Sequence, residues 1–172
     1  EFRRVLFRSL RPRGMGSRLF DAEGLPVIRR LMIDNGVLTG WFLDLASAAK
    51  LGMTPTGNAR RAIGSAPGPG TSNFFIENGD VGRDDLIAEI DEGFLVTEMI
   101  GSTVDMITGD YSRGAGGFWI SKGKISHPIS EATIAGNLKE MFMQITPAND
   151  IDLRDSMAAP SLRIDSMMVA GS

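Results

Sequence analysis

The chemistry open to this chain is limited first by its metal ligands and nucleophiles. Its 172 residues contain one histidine, His127, and no cysteine. Zinc sites in hydrolases take several nitrogen or sulfur ligands, and an HExxH motif needs two histidines one helical turn apart. A single histidine that precedes Pro128 in an apolar stretch is more typical of a strand side chain bonded to a carbonyl or to water. The residues of this chain alone therefore do not predict a zinc site.

The densest polar cluster lies within ITGDYSRGAGGFWI, residues 107–120. The four consecutive hydrogen-bonding residues are Asp110, Tyr111, Ser112 and Arg113. The glycine-rich segment that follows contains Gly114, Gly116 and Gly117. Glycine lets another backbone approach closely, whether it belongs to a ligand, a peptide or a neighbouring strand. We predict that these seven residues contact a substrate or another subunit. The alternative is a polar turn in which Asp110 pairs with Arg113.

Three catalytic interpretations of this region are less well supported. A serine hydrolase could combine Ser112 or Ser130 with His127 and Asp110, but the sequence has no G-x-S-x-G elbow. The glycines lead into a strand, whereas phosphate-binding glycines lead into a helix N-terminus. Glu98, Asp110 and Glu131 offer carboxylates for acid/base catalysis, but their spacing does not distinguish that role from surface charge.

Composition and charge are typical of one globular domain. Hydrophobic residues make up 42% of the chain and charged residues 23%. The net charge of -3 argues against nucleic acid as a partner, because phosphate binding usually requires a basic surplus. No run approaches 18 apolar residues, so we expect no association with a membrane. The lack of cysteine is compatible with a cytoplasmic protein.

The N-terminal segment EFRRVLFRS, residues 1–9, has no initiator methionine and mixes arginines with apolar residues. It is too short for a transit peptide and has no cleavage pattern. Residues 5–9 resemble a translated sequencing-adapter end joined to a truncated reading frame. We therefore expect residues 1–13 to be a non-native or disordered leader, and residues 14–172 to form a C-terminal domain from a longer protein.

Turn signals and alternating apolar residues predict an α+β fold in which an antiparallel β-sheet dominates, with two clear helices. Asn35-Gly36 and Lys122-Gly123 each separate two apolar runs, which predicts two β-hairpins. Residues 94–100 are predicted to form a mostly buried strand. A last alternating strand is predicted from Ser161 to Ala170.

Helices are predicted over residues 83–92 and 135–145, the second from an apolar stripe at helical spacing. Residues 44–51 are predicted to form one or two further helical turns that end at Gly52. The glycine- and proline-rich residues 54–71 are predicted to be a loop without regular elements. A loop of this length is usually functional or disordered.

The segment GDYSRGAGGFWISKGKISHPISEATIAGNLKEMF closely resembles the C-terminal domain of the TldD/PmbA family. The same resemblance is carried by FDAEGLP, DNGVLTGWFLD, KLGMTPTGNARR, GFLVTEMIG and SLRIDSMMVAG, in that order. It extends from about Gly16 to the end of the chain. Motifs this long and in this order are far more specific than a single glycine pattern.

The resemblance implies a subunit of a cytoplasmic, heterodimeric zinc metallopeptidase that degrades peptides or unfolded proteins. In that family the zinc belongs to the TldD subunit, which has an HExxxH helix and a cysteine near its C-terminus. This chain has neither feature, so it resembles the non-catalytic PmbA (TldE) subunit. The implied partners are a TldD-like subunit, which would hold the zinc, and a peptide or unfolded protein. The alternative is a stand-alone protein- or peptide-interaction module without peptidase activity.

Overall fold

The computed structural model describes residues 4–7 and 14–171. Within them the helices are α1 (Leu45–Leu51), α2 (Arg83–Ala88) and α3 (Leu138–Met143). The strands are β1 (Arg4–Phe7), β2 (Arg30–Asp34), β3 (Val37–Leu38), β4 (Ala59–Arg60), β5 (Gly68–Pro69), β6 (Phe74–Ile76), β7 (Glu92–Val104), β8 (Asp110–Ser121), β9 (Lys124–Asn137), β10 (Ile145–Pro147), β11 (Met157–Ala158), β12 (Leu162–Ile164) and β13 (Met168–Gly171). This confirms the predicted α+β class with predominantly antiparallel strands, and adds α1 to the two clear helices.

The described residues divide into two compact units that interleave along the chain. The N-terminal unit contains residues 4–7, 14–78 and 151–160, and the sheet unit contains residues 79–150 and 161–171. Each unit has its own β-sheet and its own buried residues, and each is described separately below.

The sheet unit is built on a four-stranded antiparallel sheet in the order β13-β9-β8-β7. The long strands β7, β8 and β9 form a meander, in which β8 is the inner strand. The turn between β8 and β9 has positive φ at both Lys122 (50°) and Gly123 (73°). These angles suit a type I′ turn, which matches the twist of the flanking strands. The second predicted hairpin is confirmed.

Gly117 lies where the pairing on both sides of β8 is irregular. The β7–β8 register shifts between Val96 and Glu98, and the β8–β9 register shifts between Ala115 and Gly117. Such β-bulges bend a strand and increase its twist. A Cβ on Gly117 would overlap the backbone carbonyl of Leu95. The backbone that approaches the glycine run is therefore that of the neighbouring strand β7.

Strands β8 and β9 both contribute buried side chains to the core of the sheet unit. Ala115 and Ile120 on β8 are 1% and 2% exposed, and Ala132 and Ile134 on β9 are also buried. The helices and the end of the unit add Leu86, Ile87, Met141, Ile145 and Ala148. Burial of these apolar side chains is the main favourable term for the unit.

The predicted helix over residues 135–145 is wrong in its first turn. Strand β9 continues to Asn137, and α3 occupies only Leu138–Met143. Ile134 pairs with Arg113 of β8 and is buried as a strand residue, so its place in the apolar stripe was coincidental. The helix begins where the Asn137 side chain accepts a hydrogen bond from the Lys139 N–H. Helix α2 is also shorter than predicted, since it ends at Ala88.

The predicted last strand is two strands in different sheets. β12 pairs with β10, and β13 pairs with β9. Ser166, between them, has a φ of 62°. A left-handed residue breaks the extended chain, and nothing in the alternating pattern indicated it.

The N-terminal unit contains a five-stranded sheet in the order β11-β6-β1-β2-β3, in which only the β11–β6 pair is parallel. Asn35 (φ 50°) and Gly36 (φ 79°) form the turn of the β2–β3 hairpin, as predicted. Val27 and Met32 are buried, and Phe42 packs edge-on against Phe74 with ring centroids 5.8 Å apart.

Part of the predicted leader lies within this sheet, because β1 pairs with β2 and β6. Residues 1–3 and 8–13 lie outside the described residues. That residues 1–13 are a non-native leader therefore stays a prediction.

The short helix α1 has the ends that its sequence predicts. Asp44 accepts a hydrogen bond from the Ser47 N–H at 2.7 Å, and Gly52 closes the helix with a φ of 64°. The following loop differs from the prediction, because β4 and β5 pair as a two-stranded ladder within residues 54–71. Only two residues from each side pair, so the segment carries no strand pattern that sequence analysis would detect.

Replacing Gly117 with alanine tests how strongly the sheet depends on the close approach of β7. We expect Gly117→Ala to lower the free energy of unfolding by about 1–3 kcal/mol, because backbone must move to admit the methyl group. Chemical denaturation measures this loss. Gly68→Ala is the matched control, because a Cβ there meets no atom within 4 Å. Equal stability of the two variants would contradict this account of the bulges.

Candidate functional site

The polar cluster predicted to make contacts lies on the inner strand β8, where successive side chains alternate between faces. Tyr111 and Arg113 share a face with the buried Ala115, while Asp110 and Ser112 lie on the opposite face. The four side chains therefore do not converge on one point. Asp110 and Arg113 do not pair as in a polar turn, because residues three apart in a strand point in opposite directions.

Asp110 connects the turn before β8 to the start of α3. Its carboxylate accepts hydrogen bonds from the Thr108 hydroxyl at 2.9 Å and from the Asn137 side-chain amide at 3.2 Å. Asn137 also donates to the Thr108 carbonyl at 3.1 Å and caps α3 through Lys139. Asp110 thus has a structural role that its position beside the glycines did not reveal.

The turn over residues 105–109 is held by Asp105. Its carboxylate accepts hydrogen bonds from the backbone N–H groups of Ile107 at 2.8 Å and Thr108 at 3.1 Å. The hydrogen bonds from Thr108 and then Ile107 stabilise the charged form and lower the pKa of Asp105. Its backbone N–H also donates to the Asp110 carbonyl at 2.9 Å. The turn is therefore an ordered link between β7 and β8.

The other two polar side chains pack within the sheet. The Tyr111 hydroxyl donates to the Met99 sulfur at 3.8 Å. The Nε atom of Arg113 is buried, and it has no hydrogen-bond partner among the described residues. Ile134 lies opposite Arg113 on β9. Arg113 therefore lies beside the buried Ile134, which favours a packing role for its aliphatic stem.

Neither hydrogen-bonding edge of β8 is open to a peptide, because β9 pairs with it from Asp110 to Ser121 and β7 pairs with it from Tyr111 to Ser121. Gly114, Gly116 and Gly117 accordingly face strand β7 and its side chains at short range. Main-chain recognition of an extended ligand at the glycines would require one of these strands to leave. Of these two strands, only β7 is an end strand of the described sheet.

Strand β7 and the turn after it expose several large apolar side chains. Met99 and Ile100 are 51% and 64% exposed, and Met106 and Ile107 are 86% and 90% exposed. We call these four residues the apolar tip. The prediction that residues 94–100 are mostly buried is wrong, because residues 97–100 are exposed and residues 94–96 are only half-buried. A run of apolar residues does not reveal whether its strand is inside a sheet or at its end.

The structure does not assemble the catalytic groups considered from the sequence. Ser112 lies opposite Ala135, eight residues along β9 from His127, which is roughly 26 Å of extended chain. Glu98 lies opposite Gly116, six residues along β8 from Asp110, or roughly 20 Å. These distances separate Ser112 from His127 and Glu98 from Asp110.

The described residues also do not fit a zinc ion. Across residues 4–7 and 14–171, no group of three or more His, Cys, Asp and Glu side chains is arranged to hold a metal. His127 is exposed, and its Nδ1 atom lies 3.2 Å from the Ser126 hydroxyl. We assign no metal-dependent step to these residues.

A buried polar cluster in the N-terminal unit was not found by sequence reasoning. Asp21 is 4% exposed, and its carboxylate accepts hydrogen bonds from the backbone N–H groups of Glu23, Leu25 and Ala59, each at 2.9 Å. The other buried polar residues of this unit are Asp44, Thr56, Asn58, Ser72 and Asn73. The density of Asn, Ser and Thr around the long loop was the available signal.

Comparison with known proteins identifies the family. A family model described as PmbA/TldA metallopeptidase C-terminal domain matches residues 5–171. The chain belongs to the PmbA/TldD metallopeptidase family. The match begins inside the predicted leader, and it confirms the resemblance seen in the glycine-rich segment.

Individual relatives agree with this assignment. The chain is 42% identical over 160 residues to metalloprotease PmbA from Escherichia coli O157:H7, covering 92% of this chain and 34% of that protein. It is 39% identical over 161 residues to the metalloprotease PmbA homolog of Buchnera aphidicola from Acyrthosiphon pisum, covering 93% and 34%. The crystal structure of TldE from Thermococcus kodakarensis superposes with a TM-score of 0.87 at 27% identity, covering 98% and 39%.

The chain thus spans about a third of the length of the curated relatives it matches. In the part of the chain that the structure describes, no helix is both long and apolar enough to span a bilayer.

Changing Asp105 to asparagine tests the ordered turn through its pH dependence. A carboxylate whose pKa is lowered by folding stabilises the protein above its unfolded pKa, and this contribution is lost as the pH falls through the folded pKa. We expect Asp105→Asn to be less stable than wild type at neutral pH, and the difference to close as the pH falls below the ordinary aspartate range. Chemical denaturation from pH 7 to acid pH measures it. The control is Asp155→Asn, at an exposed aspartate of the N-terminal unit. A difference that does not change with pH would overturn the role of the carboxylate.

Proposed function

We propose that this chain belongs to a PmbA-like, non-catalytic subunit of a TldD/TldE-type zinc metallopeptidase. The zinc would be held by a TldD-like partner, and the complex would degrade peptides or unfolded proteins in the cytoplasm. Support comes from the identity to metalloprotease PmbA and from the fold shared with TldE. The presence of a single histidine and the absence of cysteine in this chain support placing the metal ligands on the partner.

The observation that carries the interface proposal is the exposed edge of the sheet unit. β7 has 13 residues, roughly twice the length of an average strand. Long apolar edge strands are sites of association, because their free N–H and C=O groups can pair with another chain. β7 contains neither lysine nor proline, the residues that usually protect such edges. We infer that the TldD-like subunit binds along β7 and the apolar tip.

The seven residues predicted to make contacts then have different roles in the proposal. Asp110 and Ser112 lie on the face opposite Ala115, and they would contribute to the peptide channel or the subunit interface. Tyr111 and Arg113 would stabilise β8 by packing on the face that also carries Ala115. The three glycines Gly114, Gly116 and Gly117 would set the curvature that presents β7 to the partner, through the bulges on either side of β8.

The test is reconstitution with a tagged TldD-like subunit. We expect the chain to co-purify with it, and zinc-dependent hydrolysis of an unfolded protein substrate to require both. Ile100→Asp should weaken co-purification by about tenfold or more, because a carboxylate would be desolvated at a tight apolar contact. The matched control is Ile63→Asp, at a fully exposed isoleucine in the N-terminal unit.

Two results would refute the proposed role in the complex. The first is peptidase activity and co-purification that are the same without this chain. The second is binding of unfolded protein by the chain alone, without affinity for a TldD-like subunit, which would establish a stand-alone interaction module. Equal effects of Ile100→Asp and Ile63→Asp would refute the narrower claim that β7 is the binding surface.

A further inference from the structure

A small cavity in the N-terminal unit is bordered by buried polar groups that the described residues leave unpaired. Its volume is about 10 Å³, and residues 57–60, residues 70–72, Arg18 and Val27 line it. Asn58 and Ser72 are only 3% and 5% exposed. The Asn58 Nδ2 and Oδ1 atoms and the Ser72 hydroxyl have no hydrogen-bond partner within residues 4–7 and 14–171. Buried polar groups are rarely left unpaired, because their desolvation is then not compensated.

We propose that this cavity is a specific binding site for one water molecule, which bridges Asn58 and Ser72 as a constant part of the fold. A volume of about 10 Å³ is that needed by a single water. Buried waters typically make about three hydrogen bonds to otherwise unsatisfied polar groups. The three unpartnered atoms of Asn58 and Ser72 match that number.

The chemistry of the lining favours water over an ion. Asn58 presents a donor and an acceptor, and the Ser72 hydroxyl can serve as either. An anion would leave the Asn58 Oδ1 atom unpaired, and a cation would do the same to its Nδ2 group. Arg18 and Arg60, which also line the cavity, further oppose a cation. Water alone both donates and accepts within this volume.

Hydrogen bonds within the protein hold the backbone around the cavity in place without an occupant. β4 and β5 pair Ala59 with Pro69, and the Gly70 N–H donates to the Asn58 carbonyl at 2.8 Å. Gly57 has a φ of 68°, and a Cβ there would overlap the Pro26 carbonyl. The Asp21 carboxylate holds the Ala59 N–H at 2.9 Å. The site is therefore preformed, which lowers the entropic cost of binding.

The bound water would connect the two ends of residues 54–71. Asn58 is near the start of this loop, and Ser72 directly follows its end. The loop was predicted to be either functional or disordered because of its length. The water site gives a third possibility, in which the bound water and the pairing of β4 with β5 hold the loop in one conformation. This inference does not depend on the proposed function.

Water–protein NOE and ROE spectra of the whole chain test the proposal. We expect strong NOE cross-peaks from water to the Asn58 side-chain amide, because a buried water stays longer than the tumbling time of the protein. The exposed Asn35 side chain is the internal control, and its cross-peaks should be near zero. Ser72→Ala removes the nearby hydroxyl as a source of exchange, so the Asn58 cross-peak should be weaker but still present. Ser130→Ala, at an exposed serine of β9, should leave it unchanged.

A high-resolution crystal structure should show one spherical density peak within hydrogen-bond distance of Asn58 and Ser72. The proposal is overturned if wild type shows no Asn58 cross-peak, or if the cross-peak disappears in Ser72→Ala, which would assign it to the hydroxyl. An empty cavity, or an oxyanion held by Arg18 and Arg60, would also overturn it.

Discussion

The sheet unit depends on the contact between Gly117 and the carbonyl of Leu95 across the β7–β8 ladder. A side chain at position 117 would force these strands apart at the point where both ladders of β8 change register. Because the two bulges flank one strand, they bend the whole meander instead of a single edge. The absence of side chains at Gly114, Gly116 and Gly117 is thus required by the close approach of β7, whose atoms lie nearest to all three.

This constraint determines where recognition can occur. β8 carries the conspicuous polar residues, but both of its hydrogen-bonding edges are used. Asp110 is bound to Thr108 and Asn137, and the Nε atom of Arg113 is buried. The end strands of the described sheet are β7 and β13, and β7 is the longer of the two. The interface is proposed at β7 because it is the long end strand that pairs directly with β8.

The features that could be predicted from the sequence are those encoded by neighbouring residues. Asn35-Gly36 and Lys122-Gly123 specify their turns because both positions of each turn need positive φ. Asp44 and Gly52 specify the ends of α1 through local hydrogen bonds and a left-handed residue. The family was recognisable for a related reason, since its motifs are long, continuous segments.

What could not be predicted depends on contacts between distant residues. Ile134 fits a helical stripe and a strand equally well, and its pairing with Arg113 decides for the strand. The cavity beside Asn58 exists only because residues 57–60 meet residues 70–72, and no local pattern reports that meeting.

The two units thus place their polar groups according to different physical requirements. In the N-terminal unit, the buried Asp21 side chain accepts hydrogen bonds from three backbone N–H groups at 2.9 Å each, so one polar side chain holds two loop segments together. In the sheet unit, pairing between strands already satisfies the backbone N–H and C=O groups. The polar side chains therefore bond within turns, as Asp105 does, or lie on the faces of the sheet. A conspicuous polar motif is therefore weak evidence for catalysis when it lies on an inner strand. Exposed apolar residues on an edge strand, such as Ile100, are the stronger indication of where another chain binds.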